Sequence, residues 1–255
     1  MIPKGSGKMS HLVFSKGLKA ALLVTAFLSA SNACADIVIS GTRIVYPHST
    51  KDVVAHLDNH GNKPLLVQTW LDDGRFDVNP QELKLPFIIT PPVSRIDPKK
   101  GQSVRITYTG TPLPQDRESL FWFNVLEIPP KTKNADKESL NQLQLAFRTR
   151  IKFFFRPDGL KGTPGDAAKN LTWTQKKEGN TVKLIAHNNS PYNVSVSKVT
   201  IKSGPKTYEV EHQAVKPFSD TTMTVKGLAS TANGNVQYEA INDYGGTDDF
   251  EAGLK

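Results

Sequence analysis

From residue 36 onward, apolar and polar side chains alternate in short runs that end at Pro, Gly, Asn or Asp about every ten residues. The runs at 43–46, 53–57, 65–71, 87–89, 104–108 and 120–126, and one from Leu143 into 151–155, each read as a strand with one buried face. Asn59-His60-Gly61-Asn62, Asp72-Asp73-Gly74, Thr90-Pro91-Pro92, Pro98-Lys99-Lys100-Gly101 and Pro129-Pro130 supply the turns between them. No stretch sustains an apolar period of 3.6, so a sheet braided with helices is excluded. A cluster of breakers at 156–165 interrupts the pattern, and strand-like runs resume at 171–173, 182–186, 194–196, 199–201, 223–225 and 236–241. The chain therefore reads as all-β. It forms two tandem β-sandwich domains over residues 36–156 and 157–255, each near the ~100 residues of an immunoglobulin-like sandwich.

The first 35 residues break this pattern. They hold Lys4, Lys8, Lys16 and Lys19 and no acid, followed by the uncharged run at 20–28 and then Ala33-Cys34-Ala35. A basic start, a short apolar stretch and a small-x-small box are the layout of a secretory signal peptide, 1–35. The apolar run is well short of the ~20 residues that span a bilayer. Cleavage after Ala35 leaves 255 − 35 = 220 residues. It changes the charge picture too. The whole chain carries 32 Lys plus Arg against 24 Asp plus Glu, or +8, but the mature part carries (32 − 4) − 24 = +4. That removes the main support for a nucleic-acid partner. Cys34, the one cysteine, leaves with the leader, so packing alone holds the secreted protein together.

Catalytic chemistry is scarce. Ser195-Val-Ser-Lys198 matches the spacing of some acyl-serine enzymes but sits in an alternating stretch without companion motifs. His56 and His60 are four apart, a spacing with metal-binding meaning only on a helix. Asp243, Asp248, Asp249 and Glu251 read as a solvated edge more readily than as a cation site. No metal or cofactor is called for, and substitution of Ser195 or His56 is expected to be silent. One segment stands out: Leu143, Leu145 and Phe147 alternate with Gln142, Gln144 and Arg148, and Arg150, Lys152 and Arg156 follow. The apolar row either enters its own core or lies beside a cationic pocket suited to an extended peptide with a free carboxylate. Pattern alone leaves both open.

The chain resembles a known family, the periplasmic chaperones of chaperone–usher pilus assembly, PapD-like and FimC-like. The strings that carry the resemblance are Gly41-Thr-Arg-Ile-Val-Tyr46, Pro91-Pro-Val-Ser-Arg95, the stretch Leu113 to Asn124 containing Asp116-Arg-Glu-Ser119, Arg150-Ile-Lys-Phe-Phe-Phe-Arg-Pro157 and Ile241-Asn-Asp-Tyr-Gly245. They span nearly the whole mature chain in family order. The resemblance implies two immunoglobulin-like domains in an L shape. It implies that Arg43 and Lys152 anchor a pilin C-terminal carboxylate, and that Leu143, Leu145 and Phe147 form the apolar row donated to an incomplete pilin fold. It assigns Glu118, Arg156 and Asp243 to an interdomain ion network. Lys152 has the opposite parity to the row, so a bulge or twist is expected between them. The short 131–139 connection and the lack of a cysteine pair resemble the short-loop subclass.

The function this implies is a non-enzymatic periplasmic chaperone. It binds pilin subunits by donating a strand, delivers them to an outer-membrane usher and needs no ATP. Self-association of the free protein through the same strand is plausible chemistry. The competing reading is a secreted adhesive or carbohydrate-binding β-sandwich module.

Overall fold

A computed structural model describes residues 36–130 and 145–255. The leader, Cys34 and Leu143 lie outside the described residues.

Nine strands build the first domain. They are β1 (Ile37–Ile39), β2 (Arg43–Pro47), β3 (Asp52–Asn59), β4 (Leu65–Asp72), β5 (Phe87–Thr90), β6 (Val93–Ile96), β7 (Gly101–Tyr108), β8 (Ser119–Ile128) and β9 (Phe147–Arg156). They form two sheets, ordered β1-β3-β7-β5 and β2-β9-β8-β4-β6. The alternation on β8 shows why: Phe121, Phe123 and Val125 are buried between the sheets. Tyr46, Phe87, Tyr108, Phe153 and Phe155 fill one end of this core, with Phe87 edge-on to Phe153 at 5.1 Å. The buried Tyr46 hydroxyl donates to the Lys51 carbonyl (2.8 Å), so its polar tip is satisfied.

In the second domain β10 (Thr172–Glu178), β11 (Thr181–Asn188) and β14 (Ser219–Thr224) form one sheet. The other is made of β12 (Val196–Ser203), β13 (Lys206–Glu209), β15 (Asn235–Ile241) and β16 (Thr247–Gly253), ordered β13-β12-β15-β16. Trp173, Leu184, Ile201, Met223 and Val236 lie in its core. One short helix, α1 (Pro164–Lys169), precedes β10. Thr163 caps it reciprocally with Asp166, and proline stands in its first turn. Six residues are too few for a period of 3.6 to register in the sequence.

Two sequence expectations need correction here. The runs at 194–196 and 199–201 are not separate strands. The second belongs to β12, whose pairing with β15 shifts register between Val196 and Lys198, and this bulge flips the parity. Conversely, no bulge separates Lys152 from Phe147. The β8–β9 register runs unbroken from Glu127↔Phe147 to Ser119↔Phe155. Phe147, Thr149, Ile151, Phe153 and Phe155 share the core-facing side, while Arg148, Arg150, Lys152 and Arg156 take the other. Of the apolar row, Phe147 continues the line of core-facing positions beyond the sandwich's end, and the cations belong to the opposite face.

Candidate functional site

The site begins with a strand that changes sheets. β1 pairs with β3 in one sheet, while β2 pairs in parallel with β9 in the other, from Arg43↔Lys152 to Pro47↔Arg156. The parallel pairing stops at Lys152. Along Phe147–Ile151, β9 is bonded to β8 on one side, and no strand among the described residues occupies the other. Such an open edge is a template for a further strand. Leu145 and Phe147, at its start, are 55% and 51% exposed. That decides between the two sequence readings for these two residues: they do not enter their own domain's core.

At the closed end of this edge the cations converge. Lys152 Nζ donates to Ser195 Oγ (2.8 Å), and Arg43 Nη1 donates to the Ile241 carbonyl (2.8 Å). The Ile241 N–H in turn donates to the Ser195 carbonyl (2.9 Å), so the two second-domain contacts are tied to each other. Arg43 Nε is buried and without a partner among the described residues. Burial, and then the neighbouring Arg43 charge, push the Lys152 ammonium down to about 8. Burial also lowers the Arg43 pKa, opposed by the more distant Asp243 and Glu118. Two half-buried cations with an orphan donor form a site short of an anion.

Beside it lies the ion network. Arg156 Nε donates to Glu118 (2.7 Å), while Nη1 and Nη2 form a fork on Asp243 (2.8 and 3.0 Å). Burial disfavours the Arg156 charge, but Asp243 and Glu118 outweigh it and its pKa stands above the ordinary value. Glu118, the residue before β8, also accepts from the Asn193 backbone N–H (2.9 Å), which ties the start of that strand to the second domain. The turn after β15 presents Asp243. Asn242 Oδ1 accepts from the N–H groups of Tyr244 and Gly246, and Gly245 adopts φ +84°. A Cβ at Gly245 would come within 2.5 Å of Thr42 Oγ1, so the close approach of the two domains here requires glycine.

Sequence reasoning missed three parts of this surface. Ser195, set aside there as inert, is 2% exposed and holds Lys152. Nothing local marks a serine as the partner of a lysine 43 positions away. The Ile241 carbonyl is equally invisible in a side-chain reading. The third is Asp72, fully buried, on which Arg150 forms a bidentate pair, Asn124 donates (2.8 Å) and Arg148 leans (3.4 Å). Arg148 stacks on Trp70 and Phe76 (4.9 and 4.3 Å), and Arg150 on Trp122 (4.2 Å). Leu143 lies outside the described residues, so only Leu145 and Phe147 of the apolar row are placed.

Among the described residues no group of His, Cys, Asp and Glu is arranged to hold a metal ion. A larger groove of about 690 Å³ runs past Gly159, Thr163, Pro191 and Phe218. Its acids are engaged, Asp116 with Arg117 and Asp166 in the helix cap, and it offers no nucleophile–base pair.

Comparison with known proteins settles the family. Residues 36–161 match the N-terminal domain of PapD, described as a pili and flagellar-assembly chaperone, and residues 166–252 match the C-terminal domain of the pili assembly chaperone PapD. The chain belongs to the PapD family of pilus-assembly chaperones. It is similar to the probable fimbrial chaperone YadV of Escherichia coli K12, 47% identical over 94% of this chain and 98% of that one. It is also similar to the chaperone FimB/FhaD of Bordetella pertussis, 39% identical over 87% and 89%. The crystal structure of YadV superposes with a TM-score of 0.76 over 86% of this chain and all of that one. SafB of Salmonella enterica, solved with the SafA pilin, superposes at 0.71 with 28% identity, over 88% and 99%. As a PapD-family member the chain is a fimbrial chaperone of the chaperone–usher class, and the adhesive-module reading is not favoured. No helix among the described residues is long and apolar enough to cross a membrane.

Proposed function

We propose that the chain works in the periplasm, where it captures fimbrial subunits by donating β9 and hands them to an outer-membrane usher. The observation that carries this reading is the open edge of β9. It starts at exposed Leu145 and Phe147 and ends at Arg43 and Lys152. A subunit lacking its last strand would lay its edge along Phe147–Ile151 and accept the apolar side chains in its groove. Its C-terminal carboxylate would meet the two cations. Arg43 Nε would gain an acceptor, and Ser195 could donate its hydroxyl while still accepting from Lys152. The charges favour this: three cations (Arg43, Lys152, Arg156) face two acids (Glu118, Asp243), and one carboxylate balances them.

Charge-assisted bonds of this kind contribute about 1.5–3 kcal/mol each. Burying each apolar side chain adds about 1.5–3 kcal/mol before ordering costs. Strand pairing and burial supply the free energy, so the capture step asks for no nucleotide. Glu118, Arg156 and Asp243 would orient the domains so that Ser195 and Ile241 from one complete the slot opened by Arg43 and Lys152 from the other. SafB, a structural relative, was solved in complex with the SafA pilin.

The test is a pull-down from the periplasm of the native host expressing fimbriae, using tagged chain and a Lys152→Ala variant. Co-elution of a fimbrial subunit with the wild type and its loss with the variant is the expected result. Equal recovery with both would show that Lys152 is no anchor. Absence of any subunit from both, with subunit present in the extract, would overturn capture itself.

A further inference from the structure

Phe218 stands in a backbone conformation that its side chain disfavours. Lys216-Pro217-Phe218-Ser219 forms the turn into β14, closed by Ser219 Oγ donating to the Lys216 carbonyl (2.9 Å). Proline sets φ at the second position, and the third is left-handed, with Phe218 at φ +48°. Glycine or asparagine ordinarily fills such a position, because a Cβ there crowds the following carbonyl. Elsewhere among the described residues left-handed φ values fall on glycines and on Lys99. The turn itself gains nothing from a phenyl group. Nor does the core of its own domain, since the ring is half exposed.

What the ring meets belongs to the first domain. The Arg117 guanidinium lies over it, 4.9 Å from the ring centroid. A fork from Arg117 onto Asp116 (3.1 and 2.7 Å) holds that planar group in place, so the stack costs little further ordering. The next residue grips the second domain from the same point: the Glu118 N–H donates to the Pro191 carbonyl (2.9 Å). The two gripped segments, 190–193 and 216–219, are tied into one body. The Phe218 N–H donates to the Ser190 carbonyl (3.1 Å), and the buried Asn188 amide donates to the Tyr192 and Lys216 carbonyls (2.8 and 3.0 Å). Ser195, which holds Lys152, lies two residues beyond Asn193.

We propose that Arg117 and Phe218 are positioning residues, whose stack fixes the angle between the two domains and so keeps Ser195 and Ile241 opposite Lys152 and Arg43. The ion network of Arg156, Glu118 and Asp243 is a single cluster, and a joint made at one cluster leaves rotation about it. The stack supplies a separate point of attachment, on a different segment of the second domain. The strained turn persists because its side chain serves the neighbouring domain. The consequence for the carboxylate slot rests on the capture proposed above; the effect on the domain angle does not.

The experiment reads the two separately. Cys34 is the one cysteine, so the chain from residue 36 has none, and Lys51→Cys with Lys206→Cys places a nitroxide at one exposed site in each domain. Pulsed electron paramagnetic resonance then gives the interdomain distance distribution of the subunit-free protein. Phe218→Gly and Arg117→Gln should each widen it about twofold, while Phe218→Tyr, which keeps the ring face, should match the parent. Thermal unfolding separates positioning from general support: Phe218→Gly should melt no more than about 1 °C below the parent, because relief of the turn offsets the lost contact. Affinity for a peptide ending in a free carboxylate should fall about threefold in Phe218→Gly, the size expected of an exposed cation–π pair, and return in Phe218→Tyr. Parental widths in Phe218→Gly and Arg117→Gln, a fall in the Phe218→Gly midpoint of several degrees, or wider distributions with unchanged affinity would each overturn the proposal. Failure of the parent itself to bind the peptide would count against capture, and the widths would still decide the domain contact.

Discussion

Arg43 on β2 and Lys152 on β9 stand opposite each other as register partners in a parallel strand pair. No acidic side chain among the described residues bonds to either; their partners are the Ile241 carbonyl and the Ser195 hydroxyl. Like charges so placed cost free energy in the empty protein, and a carboxylate arriving between them recovers it. Under the proposed function the cleft would then favour a chain terminus over a neutral peptide bond.

The same pairing dictates a pH dependence with two opposite signs. Lys152 in the folded chain has its pKa lowered to about 8, against 10.5 for an ordinary lysine. Between these values the unfolded chain holds a proton that the folded site has released, so stability of the subunit-free protein rises with pH across that window. Affinity for a free carboxylate runs the other way. It is level below about pH 8 and falls above it, because a neutral amine no longer pairs with the anion. Lys152 Nζ lies 6.0 Å from the Trp122 ring, so Trp122 emission offers a direct reading. A transition near pH 8 that vanishes in Lys152→Met is expected. A flat profile from about pH 6 to about pH 10 would refute the assignment.

Ser195 gives a second prediction, and it reverses what its sequence context suggests. Replacing it with alanine removes the Lys152 partner and leaves a buried ammonium less well satisfied. Affinity for a peptide ending in a free carboxylate should fall about fivefold, the equivalent of about 1 kcal/mol. Ser195→Thr, which keeps the hydroxyl, should restore most of it. His56→Ala serves as the neutral control, since among the described residues that ring bonds only to Ser103 on the neighbouring strand, away from the cleft. Calorimetry on the three variants checks this. Equal affinities for Ser195→Ala and the parent would remove Ser195 from the site.

Leu145 and Phe147 separate capture from stability. Both are more than half exposed, so Leu145→Ser and Phe147→Ser should change the free protein's stability by less than about 0.5 kcal/mol. Each should nevertheless weaken subunit binding by about 1.5–3 kcal/mol, since the lost side chain is buried only in the complex. Chemical denaturation of the free variants beside subunit co-purification tests the pair. Loss of stability in step with loss of binding would return the row to the protein's own core.

How much of this was legible in the sequence depends on distance along the chain. Strands with strict alternation, such as β3, β4, β8 and β15, are readable because one sheet face is dry and the other wet. β1, β6 and β13 were missed because three or four residues are too few to establish a period of 2. β16 hides its alternation behind Asp248 and Asp249. Glu118, Arg156 and Asp243 could be named only through resemblance, since nothing in their spacing brings them together. The Lys152–Ser195 and Asp72–Arg150 contacts were invisible, because each joins residues dozens of positions apart through folding alone. The opposite parity of Lys152 and Phe147 needs neither the bulge nor the twist expected from the sequence, because the two occupy opposite faces of one unbroken strand.

Asp72 carries the last prediction, on acid stability. Burial alone would raise its pKa, but the bonds from Arg150, Asn124 and the Gly74 N–H outweigh this and hold it below the ordinary 3.8. A depressed carboxyl contributes stability that is fully present above the unfolded value and lost as pH falls through the folded one. The first domain should therefore weaken progressively below about pH 4, ahead of any change in the second. In Asp72→Asn this acid dependence should flatten. At neutral pH the variant should lose about 2 kcal/mol or more, because Arg148 and Arg150 keep their charges without a counter-ion. Both arginines project from the open half of β9, so loosening should concentrate there. Hydrogen exchange at those amides of Phe147–Ile151 that bond to β8 should rise about tenfold in the variant, while Phe153–Arg156, flanked by β2 as well, should change far less. Uniform acceleration along the whole of β9 would mean that Asp72 supports the domain generally and has no particular hold on the donated edge.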